Sequence, residues 1–208
     1  AETNGVKCFD TFTGFKFMAE KKNKLEASGE GKVIFSYEES YGYMLGDYVR
    51  DKDAVTAALL LTEMAAWYAG QGMTLYDALQ KCFEKYGYYG EKTLNLVMPG
   101  LDGLKKMADL MAGLREHPPV EIAGVAVEQQ KDYKDGSVVR VSDGAKSTME
   151  LSGSNVLRYE MADGTSIIVR PSGTEPKVKV YILANGADKA VCDEKVAKYA
   201  AWAESLKG

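Results

Sequence analysis

Two consecutive prolines, Pro118 and Pro119, follow His117 and constrain the fold more than any other feature of the sequence. Proline has no backbone N–H and disfavours helical geometry in the residue before it, so a helix cannot run through this point. The patterns on the two sides also differ, because helical spacing dominates before the prolines and strand-like alternation dominates after them. We therefore predict two domains, residues 1–117 and 118–208, joined at this extended segment.

The part before the prolines predicts a strand followed by helices. Residues 32–37 form a short β-branched and aromatic run that ends at a pair of acidic residues. Asp53 is the predicted N-cap of an apolar helix that ends near residue 69, and Thr74 with Asp77 forms the capping pattern of a second helix. A strand over residues 88–98 and a third helix over residues 101–115 complete this part. The predicted apolar face of that third helix consists of Leu101, Leu104, Ala108 and Met111.

The part after the prolines predicts strands and one final helix. Residues 122–133, 137–141, 155–161, 165–170 and 177–183 have strand patterns. Two Asp-Gly pairs, at residues 135–136 and 163–164, stand between successive strands and predict tight turns. Residues 187–206 have helical spacing. The second domain is therefore expected to combine an antiparallel sheet with a helix.

Composition excludes several classes of function. The 208 residues carry 26 Lys and Arg against 30 Asp and Glu, a net charge of −4, which argues against a nucleic-acid binder or a protein of anionic membrane surfaces. No run approaches the ~20 apolar residues of a membrane span. Cys8, Cys82 and Cys192 stand far apart, which indicates a reducing cytoplasm and not a disulfide framework. With a single histidine, neither a zinc site nor a Ser-His-Asp triad is expected within this chain.

The loop at residues 170–177, RPSGTEPK, stands between two predicted strands and has the chemistry of a phosphate site. It offers a guanidinium, two hydroxyl groups and a glycine at which backbone N–H groups can approach a ligand. These groups belong to Arg170, Ser172, Gly173 and Thr174. Lys179 adds a second cation in the following strand. The same residue types also suit an ordinary turn, and the loop lacks the GK[ST] ending of a Walker sequence.

Three loops of the first part are further candidates. In YEESYG, at residues 37–42, Glu38 and Ser40 would point to the same side of an extended chain and offer the hydrogen bonds that sugar hydroxyls require. Thr13 and Gly14 lie in a loop between aromatic residues, and Lys52 lies in the charged run RDKD before the apolar helix. Taken singly, each segment also fits a solvated loop, a turn or a helix cap with surface salt bridges.

Taken in order, these four segments resemble the α-D-phosphohexomutase superfamily, which includes phosphoglucomutases and phosphomannomutases. The similarity is closest to bacterial phosphoglucomutases of the type shared with the eukaryotic phosphoglucomutase-2/phosphopentomutase branch. RPSGTEPK resembles the motif of the fourth domain, and EESYG followed by RDKD resembles that of the third. The resemblance implies an α/β sandwich domain followed by an α+β domain like the TATA-box-binding protein, with a small antiparallel sheet.

The resemblance also implies roles for individual residues. One set would hold the phosphate that is not being transferred: Arg170, Ser172, Gly173, Thr174 and Lys179. Another set would orient and bind the sugar: Thr13, Gly14, Glu38 and Ser40. Lys52 would have an auxiliary catalytic role, in which its charge neutralises the developing phosphoryl charge near the reaction centre.

Two motifs of the superfamily do not occur in this sequence: the loop with the phosphorylated serine and the Asp-Gly-Asp-x-Asp-Arg loop that binds Mg²⁺. We therefore expect the C-terminal portion of a mutase, with a third domain truncated at its N-terminus and a complete fourth domain. Its expected partners are hexose phosphates and the preceding domains of the same chain, which would bind Mg²⁺; no metal ligand is expected here. Glucose 1,6-bisphosphate would be the intermediate and activator, and this portion alone would be inactive.

The expected reaction of the full enzyme is the interconversion of glucose 1-phosphate and glucose 6-phosphate. Mannose, pentose or N-acetylglucosamine phosphate are alternative substrates, and Thr13, Gly14 and residues 38–40 would distinguish them. A different class of function also fits the motifs, namely a stand-alone module that binds a phosphosugar without catalysis.

Overall fold

The computed structural model describes residues 1–207 and divides the chain into two compact units, residues 1–80 and residues from Lys81 onward. This division differs from the predicted boundary between residues 117 and 118. The reason is strand β3 (Tyr88–Val97), which pairs antiparallel with β10 (Lys177–Gly186) over its full 10 residues. Because backbone hydrogen bonds hold β3 in the sheet of the strand-rich unit, residues 81–117 belong to the same unit as the residues after the prolines.

The first unit consists of helices and a short two-stranded antiparallel sheet. Its elements are α1 (Phe15–Ala27), β1 (Phe35–Tyr37), β2 (Tyr43–Leu45), α2 (Ala54–Ala69) and the first turns of α3 (Leu75–Tyr86).

Two predicted helix starts are confirmed. The Asp53 carboxylate accepts hydrogen bonds from the backbone N–H groups of Val55 and Thr56, at 3.1 Å each, and so caps α2. At α3 the caps are reciprocal, because Thr74 N donates to the Asp77 carboxylate at 2.8 Å and Asp77 N donates to the Thr74 hydroxyl at 3.1 Å.

Helix α1 was not predicted, because the sequence pattern indicates only a loop at residues 11–17. The buried stripe of α1 consists of Phe15, Ala19, Lys22 and Leu25. A lysine in the middle of this stripe and an otherwise polar helix hide the helical spacing from a hydropathy pattern. The loop therefore ends at Gly14, the N-cap residue, and the helix begins at Phe15.

Helix α2 is strongly apolar, yet none of its residues is buried. Its exposed large side chains include Val55, Leu59, Leu61, Met64 and Trp67. A helix that is apolar on all sides is normally buried, so α2 gives the first unit an apolar surface. Within residues 1–207, no helix combines the length and the apolar character needed to cross a bilayer.

The second unit is built on an eight-stranded antiparallel sheet. The strands lie in the order β3, β10, β9 (Ser166–Pro171), β8 (Leu157–Met161), β5 (Val125–Asp132), β6 (Ser137–Arg140) and β7 (Lys146–Thr148), and β4 (Glu121–Ile122) pairs with β5. The sheet is larger than the small one expected from the resemblance.

Helices α4 (Gly103–Glu116) and α5 (Lys189–Ser205) cover one face of this sheet, where both contact β10. Along β10, Val178, Val180 and Ile182 are fully buried on the covered face. The residues between them, Lys179 and Tyr181, are only partly buried on the opposite face. Strand alternation thus separates a hydrophobic core from a polar face.

The prediction of which side chains of α4 face the core is wrong, because the buried face is rotated relative to the predicted one. Leu101 precedes the helix, and both Leu101 and Leu104 are exposed. Met111 is buried as predicted, and the residues that pack with it against the core are Met107, Leu110 and Leu114.

Two substitutions in α4 test which face packs against the sheet. Met111 has 2% of its surface exposed and Leu104 has 64%. Met111→Ala should lower the free energy of unfolding by about 2–5 kcal/mol because it removes core contacts and leaves a cavity. Leu104→Ala, the matched control, should change it by no more than about 0.5 kcal/mol. Urea unfolding of both variants measures the difference, and equal losses would contradict this packing.

Candidate functional site

The loop between β9 and β10 is a tight turn held by its own backbone. Ser172 N donates to the Lys177 carbonyl and Lys177 N donates to the Glu175 carbonyl, both at 2.8 Å. The Ser172 hydroxyl oxygen also accepts long hydrogen bonds from the backbone N–H groups of Thr174, at 3.4 Å, and Glu175, at 3.3 Å. The sequence therefore folds here into a fixed turn, as predicted.

One side of this loop is packed and the other is open. Met98 N donates to the Pro176 carbonyl at 2.8 Å, and Gly103 lies so close that a Cβ there would be 2.1 Å from the Met98 carbonyl oxygen and 3.0 Å from Pro176 Cβ. At Gly173, by contrast, no heavy atom lies within 4 Å of the position of a Cβ. A ligand can therefore approach the backbone on the Gly173 side.

Arg170 and Lys179 are directly opposite each other in the β9–β10 pair. Opposite residues of an antiparallel pair lie on the same face, with Cβ atoms about 5 Å apart. Their strand neighbours Val169, Val178 and Val180 are buried on the covered face, so both cations lie on the polar face. The sequence predicted two nearby cations, and the strand register brings them side by side.

The charges around this pair leave Lys179 available for an anion. Within the described residues, 1–207, no carboxylate forms an ion pair with Lys179, whose ammonium lies 5.9 Å from the centre of the Tyr181 ring. The carboxylate of the loop, Glu175, is paired with Lys177 at 2.5 Å. A guanidinium and an ammonium on one face, next to a loop that is open at Gly173, form an arrangement that suits a phosphate dianion.

In the first unit, Glu38 and Lys52 form an ion pair. Lys52 Nζ donates to Glu38 Oε1 at 2.9 Å, and it lies 5.8 Å from the centre of the Phe15 ring. The hydrogen bond from Lys52 to Glu38 raises the pKa of the Lys52 ammonium above its ordinary value. Because a lysine base needs a lowered pKa, this environment suits Lys52 as a fixed positive charge and not as a proton acceptor.

The Glu38 side chain is held by close packing and is only 7% exposed. A Cβ at Gly42 would lie 2.6 Å from Glu38 Oε1 and 2.8 Å from Phe15 Cε2, so only glycine fits there. Glu38 N also donates to the Gly42 carbonyl at 3.0 Å and closes a turn. The chain turns here and does not stay extended, so the condition under which Glu38 and Ser40 would point to the same side is not met, and Ser40 lies exposed in the turn.

Phe15 brings the three predicted segments of the first unit together. It follows Thr13 and Gly14 in the chain, it contacts the region of Gly42, and its ring lies beside Lys52. Thr13 is exposed just before α1. Phe15 and Gly42 could not be recognised from the sequence, because no pattern indicates α1 or the turn that the glycine allows.

A buried lysine fixes the loop that carries Lys52. Lys22 is 1% exposed and forms ion pairs with Asp47, at 2.8 Å, and with Glu26. Burial lowers the pKa of Lys22, but the hydrogen bonds to Asp47 and Glu26 outweigh burial, so the pKa is raised and the ammonium stays charged. The pair with Asp47 ties helix α1 to the segment that follows β2.

Asp53 fixes the other end of the same loop. Hydrogen bonds from the Tyr48 hydroxyl, from the Thr56 hydroxyl and from the first N–H groups of α2 lower the pKa of Asp53 to about 2. Its carboxylate is therefore ionised at every physiological pH, which favours its position at the positive end of the helix dipole.

Within residues 1–207, no group of three or more His, Cys, Asp or Glu side chains is arranged to hold a metal ion. The three cysteines are free thiols, with Cys192 buried and Cys8 and Cys82 exposed. The described residues do not fit a Mg²⁺ site, so we derive no step through that ion.

Comparison with protein families assigns both units. Residues 1–86 match the profile described as phosphoglucomutase/phosphomannomutase, alpha/beta/alpha domain III, and residues 125–198 match the profile of the C-terminal domain of the same proteins. The chain belongs to the phosphoglucomutase/phosphomannomutase family. Its two motif-bearing parts are domains III and IV of that family, which confirms the predicted fold class.

Individual relatives agree with this assignment. The chain is 37% identical over 182 residues to a phosphoglucomutase of Staphylococcus aureus strain N315, and 36% identical to that of strain MRSA252. Each alignment covers 88% of this chain and 32% of the relative, so the chain spans about a third of the length of these curated relatives.

The fold also matches a solved structure. The open form of pp63/parafusin, an exocytosis-sensitive phosphoprotein and phosphoglucomutase from Paramecium, superimposes with a TM-score of 0.63 at 19% identity. The match covers 100% of this chain and 34% of the Paramecium chain.

The lowered pKa of Asp53 predicts a change in acid stability. A carboxylate with a lowered folded pKa stabilises the fold above its unfolded value, about pH 4, and this contribution is lost as the pH falls toward the folded value of about 2. Asp53→Ala should therefore reduce thermal stability at neutral pH and flatten the loss of stability between those two pH values.

Helix content followed by circular dichroism during heating, at a series of pH values, measures this effect. Asp51→Ala is the control, because Asp51 is exposed, lies two residues away and does not cap α2. If Asp53→Ala and Asp51→Ala gave the same pH profile, the cap would not account for the acid sensitivity.

Proposed function

We propose that this chain supplies the sugar-binding and phosphate-binding loops of a phosphoglucomutase that interconverts glucose 1-phosphate and glucose 6-phosphate. The observation that carries the proposal is the pair of cations, Arg170 and Lys179, on one face of the sheet beside a loop whose backbone is open at Gly173. The Staphylococcus aureus relatives, which bear the name phosphoglucomutase, support the choice of sugar.

On the phosphate side, the proposed ligands are Arg170, Ser172, Gly173, Thr174 and Lys179. Arg170 would give a bidentate contact and Lys179 a point charge, while the turn would add hydroxyl and backbone donors. Because every donor in this set recognises phosphate oxygens, the loop would accept either phosphate of a hexose 1,6-bisphosphate. Such a clamp suits a reaction in which the bisphosphate intermediate must turn around between its two phosphoryl transfers.

On the sugar side, we propose that Glu38 and Ser40 bind hydroxyl groups and that Thr13 and Gly14 sense the orientation of the ring. Lys52 would neutralise phosphoryl charge, a role that suits its raised pKa. Its partner Glu38 must then exchange part of the ion pair for a hydroxyl group when substrate binds.

The remaining functions of the reaction are proposed to lie in the preceding domains of the full enzyme. These are the phosphorylated serine and the Mg²⁺ ligands, and Mg²⁺ would supply Lewis-acid stabilisation of the transferred phosphoryl group. We propose that residues 1–117 act as the sugar-orienting domain and residues 118–208 as the phosphate-binding domain, with β3 belonging to the sheet of the latter. The proposed location is the cytoplasm, where the exposed thiols of Cys8 and Cys82 would stay reduced.

Substitution of Arg170 tests the phosphate clamp. Arg170→Ala should weaken the binding of inorganic phosphate and of glucose 1-phosphate by about 10- to 100-fold, since hydrogen bonds to charged groups contribute about 1.5–3 kcal/mol. Isothermal titration calorimetry on the purified chain measures both affinities. Arg140→Ala is the matched control, because Arg140 is an exposed arginine of the same sheet that pairs only locally with Asp143 at 2.9 Å.

Unchanged phosphate affinity in Arg170→Ala would contradict the clamp. The proposal also requires that this chain alone has no mutase activity, since it contains no candidate for the phosphorylated serine loop. Turnover of glucose 1-phosphate by highly purified chain would contradict that part of the proposal.

A further inference from the structure

Lys179 has a second cross-strand neighbour, which the sequence motifs do not include. On one side of β10 it lies opposite Arg170 of β9, and on the other side it lies opposite Asn95 of β3. The three residues therefore form a row across three adjacent strands, which we call the cross-strand row. It brings Asn95 close to Arg170, which lies 75 positions later in the sequence.

All three side chains of the cross-strand row lie on the polar face of the sheet. The neighbours of Asn95 in β3, Leu94 and Leu96, are buried against the helices, whereas Asn95 itself is exposed. Within residues 1–207, the Asn95 amide makes no side-chain hydrogen bond. An asparagine in the middle of a strand is intrinsically unfavourable, and no contact with the described residues accounts for it.

The distances along the cross-strand row distinguish a contact with phosphate, at Arg170 and Lys179, from a contact with the group attached to it, at Asn95. Neighbouring strands lie about 4.8 Å apart, so Asn95 is one strand spacing from Lys179 and two, about 10 Å, from Arg170. A phosphate held between Arg170 and Lys179 would lie more than one strand spacing from Asn95, so Asn95 would be within reach of a group attached to that phosphate. A carboxamide both donates and accepts hydrogen bonds, which suits a sugar hydroxyl better than an anion with acceptor oxygens only.

We propose that Asn95 is a binding residue for the sugar, and that its amide hydrogen-bonds a hydroxyl of the hexose whose phosphate is held by Arg170 and Lys179. This inference rests on the proposed function, because it assumes the phosphate clamp. It adds a specificity contact from β3, so the second unit recognises the junction between phosphate and sugar as well as the phosphate.

Comparison of two ligands separates this inference from the proposed function. Asn95→Ala should weaken glucose 1-phosphate binding by about 3- to 10-fold, the effect of one neutral hydrogen bond, and leave inorganic phosphate binding within about twofold. Thr93→Ala is the matched control, because Thr93 lies two residues away on the same face of β3, opposite Tyr181, and should change neither affinity. Asn95→Val, which favours strand structure, should reproduce the effect of Asn95→Ala if the fold is intact.

Each outcome of this calorimetric experiment is decisive. If the Asn95 variants lose glucose 1-phosphate affinity selectively, the inference is supported. Equal affinities in wild type and both variants, or equal losses for both ligands, would overturn the role of Asn95 while leaving the clamp in place. If Arg170→Ala retained wild-type phosphate affinity, or if the wild-type chain bound neither ligand, the proposed function would fail and the inference with it.

Discussion

The antiparallel pairing of β10 with β3 on one side and β9 on the other is the constraint on which the second unit depends. It brings residues 88–97 and 166–186 into one sheet, and its register determines which side chains share a face. Because the side chains of β10 alternate, burial of Val178, Val180 and Ile182 under the helices forces Lys179 onto the opposite face. The hydrophobic core and the proposed phosphate clamp thus have the same origin, and a register shift by one residue would destroy both.

Three lysines of the chain have different environments. Lys22 is buried and paired with two carboxylates, and Lys52 is paired with Glu38, so these ammonium groups have partners within the fold. Lys179 has no such partner among the described residues. Structural ion pairs hold a loop in position, whereas a cation without a carboxylate partner is suited to an external anion. Lys22 therefore holds a loop in position, whereas Lys179 would contact the ligand directly; Lys52 would contact it only after part of its ion pair with Glu38 is exchanged.

The sequence motifs were sufficient to predict the family and the fold class, because the loops that carry them are short and rich in glycine, proline and charge. Helix caps such as Asp53 were also predictable, since capping depends on local spacing. Helix α1 was not, because buried Lys22 interrupts its apolar stripe. The phase of α4 was misjudged because Leu101 lies before the helix.

The features that could not be predicted from the sequence depend mostly on pairing between strands that are distant in the chain. Nothing local to residues 88–97 indicates that they pair with β10, so the predicted boundary at the two prolines separated strands that belong to one sheet. For the same reason Asn95 carried no signal: its significance comes only from standing opposite Lys179. Close packing also leaves no pattern in the sequence. The tight contact of Gly42 with Glu38 and Phe15 is an example.

A crystal structure of this chain with glucose 1-phosphate would show where the phosphate binds. We expect phosphate density on the polar face of the sheet, in contact with Arg170, Lys179 and the backbone at Gly173, with the sugar extending toward Asn95. Phosphate density at any other surface, with the 170–177 loop vacant at saturating ligand, would contradict the proposed clamp.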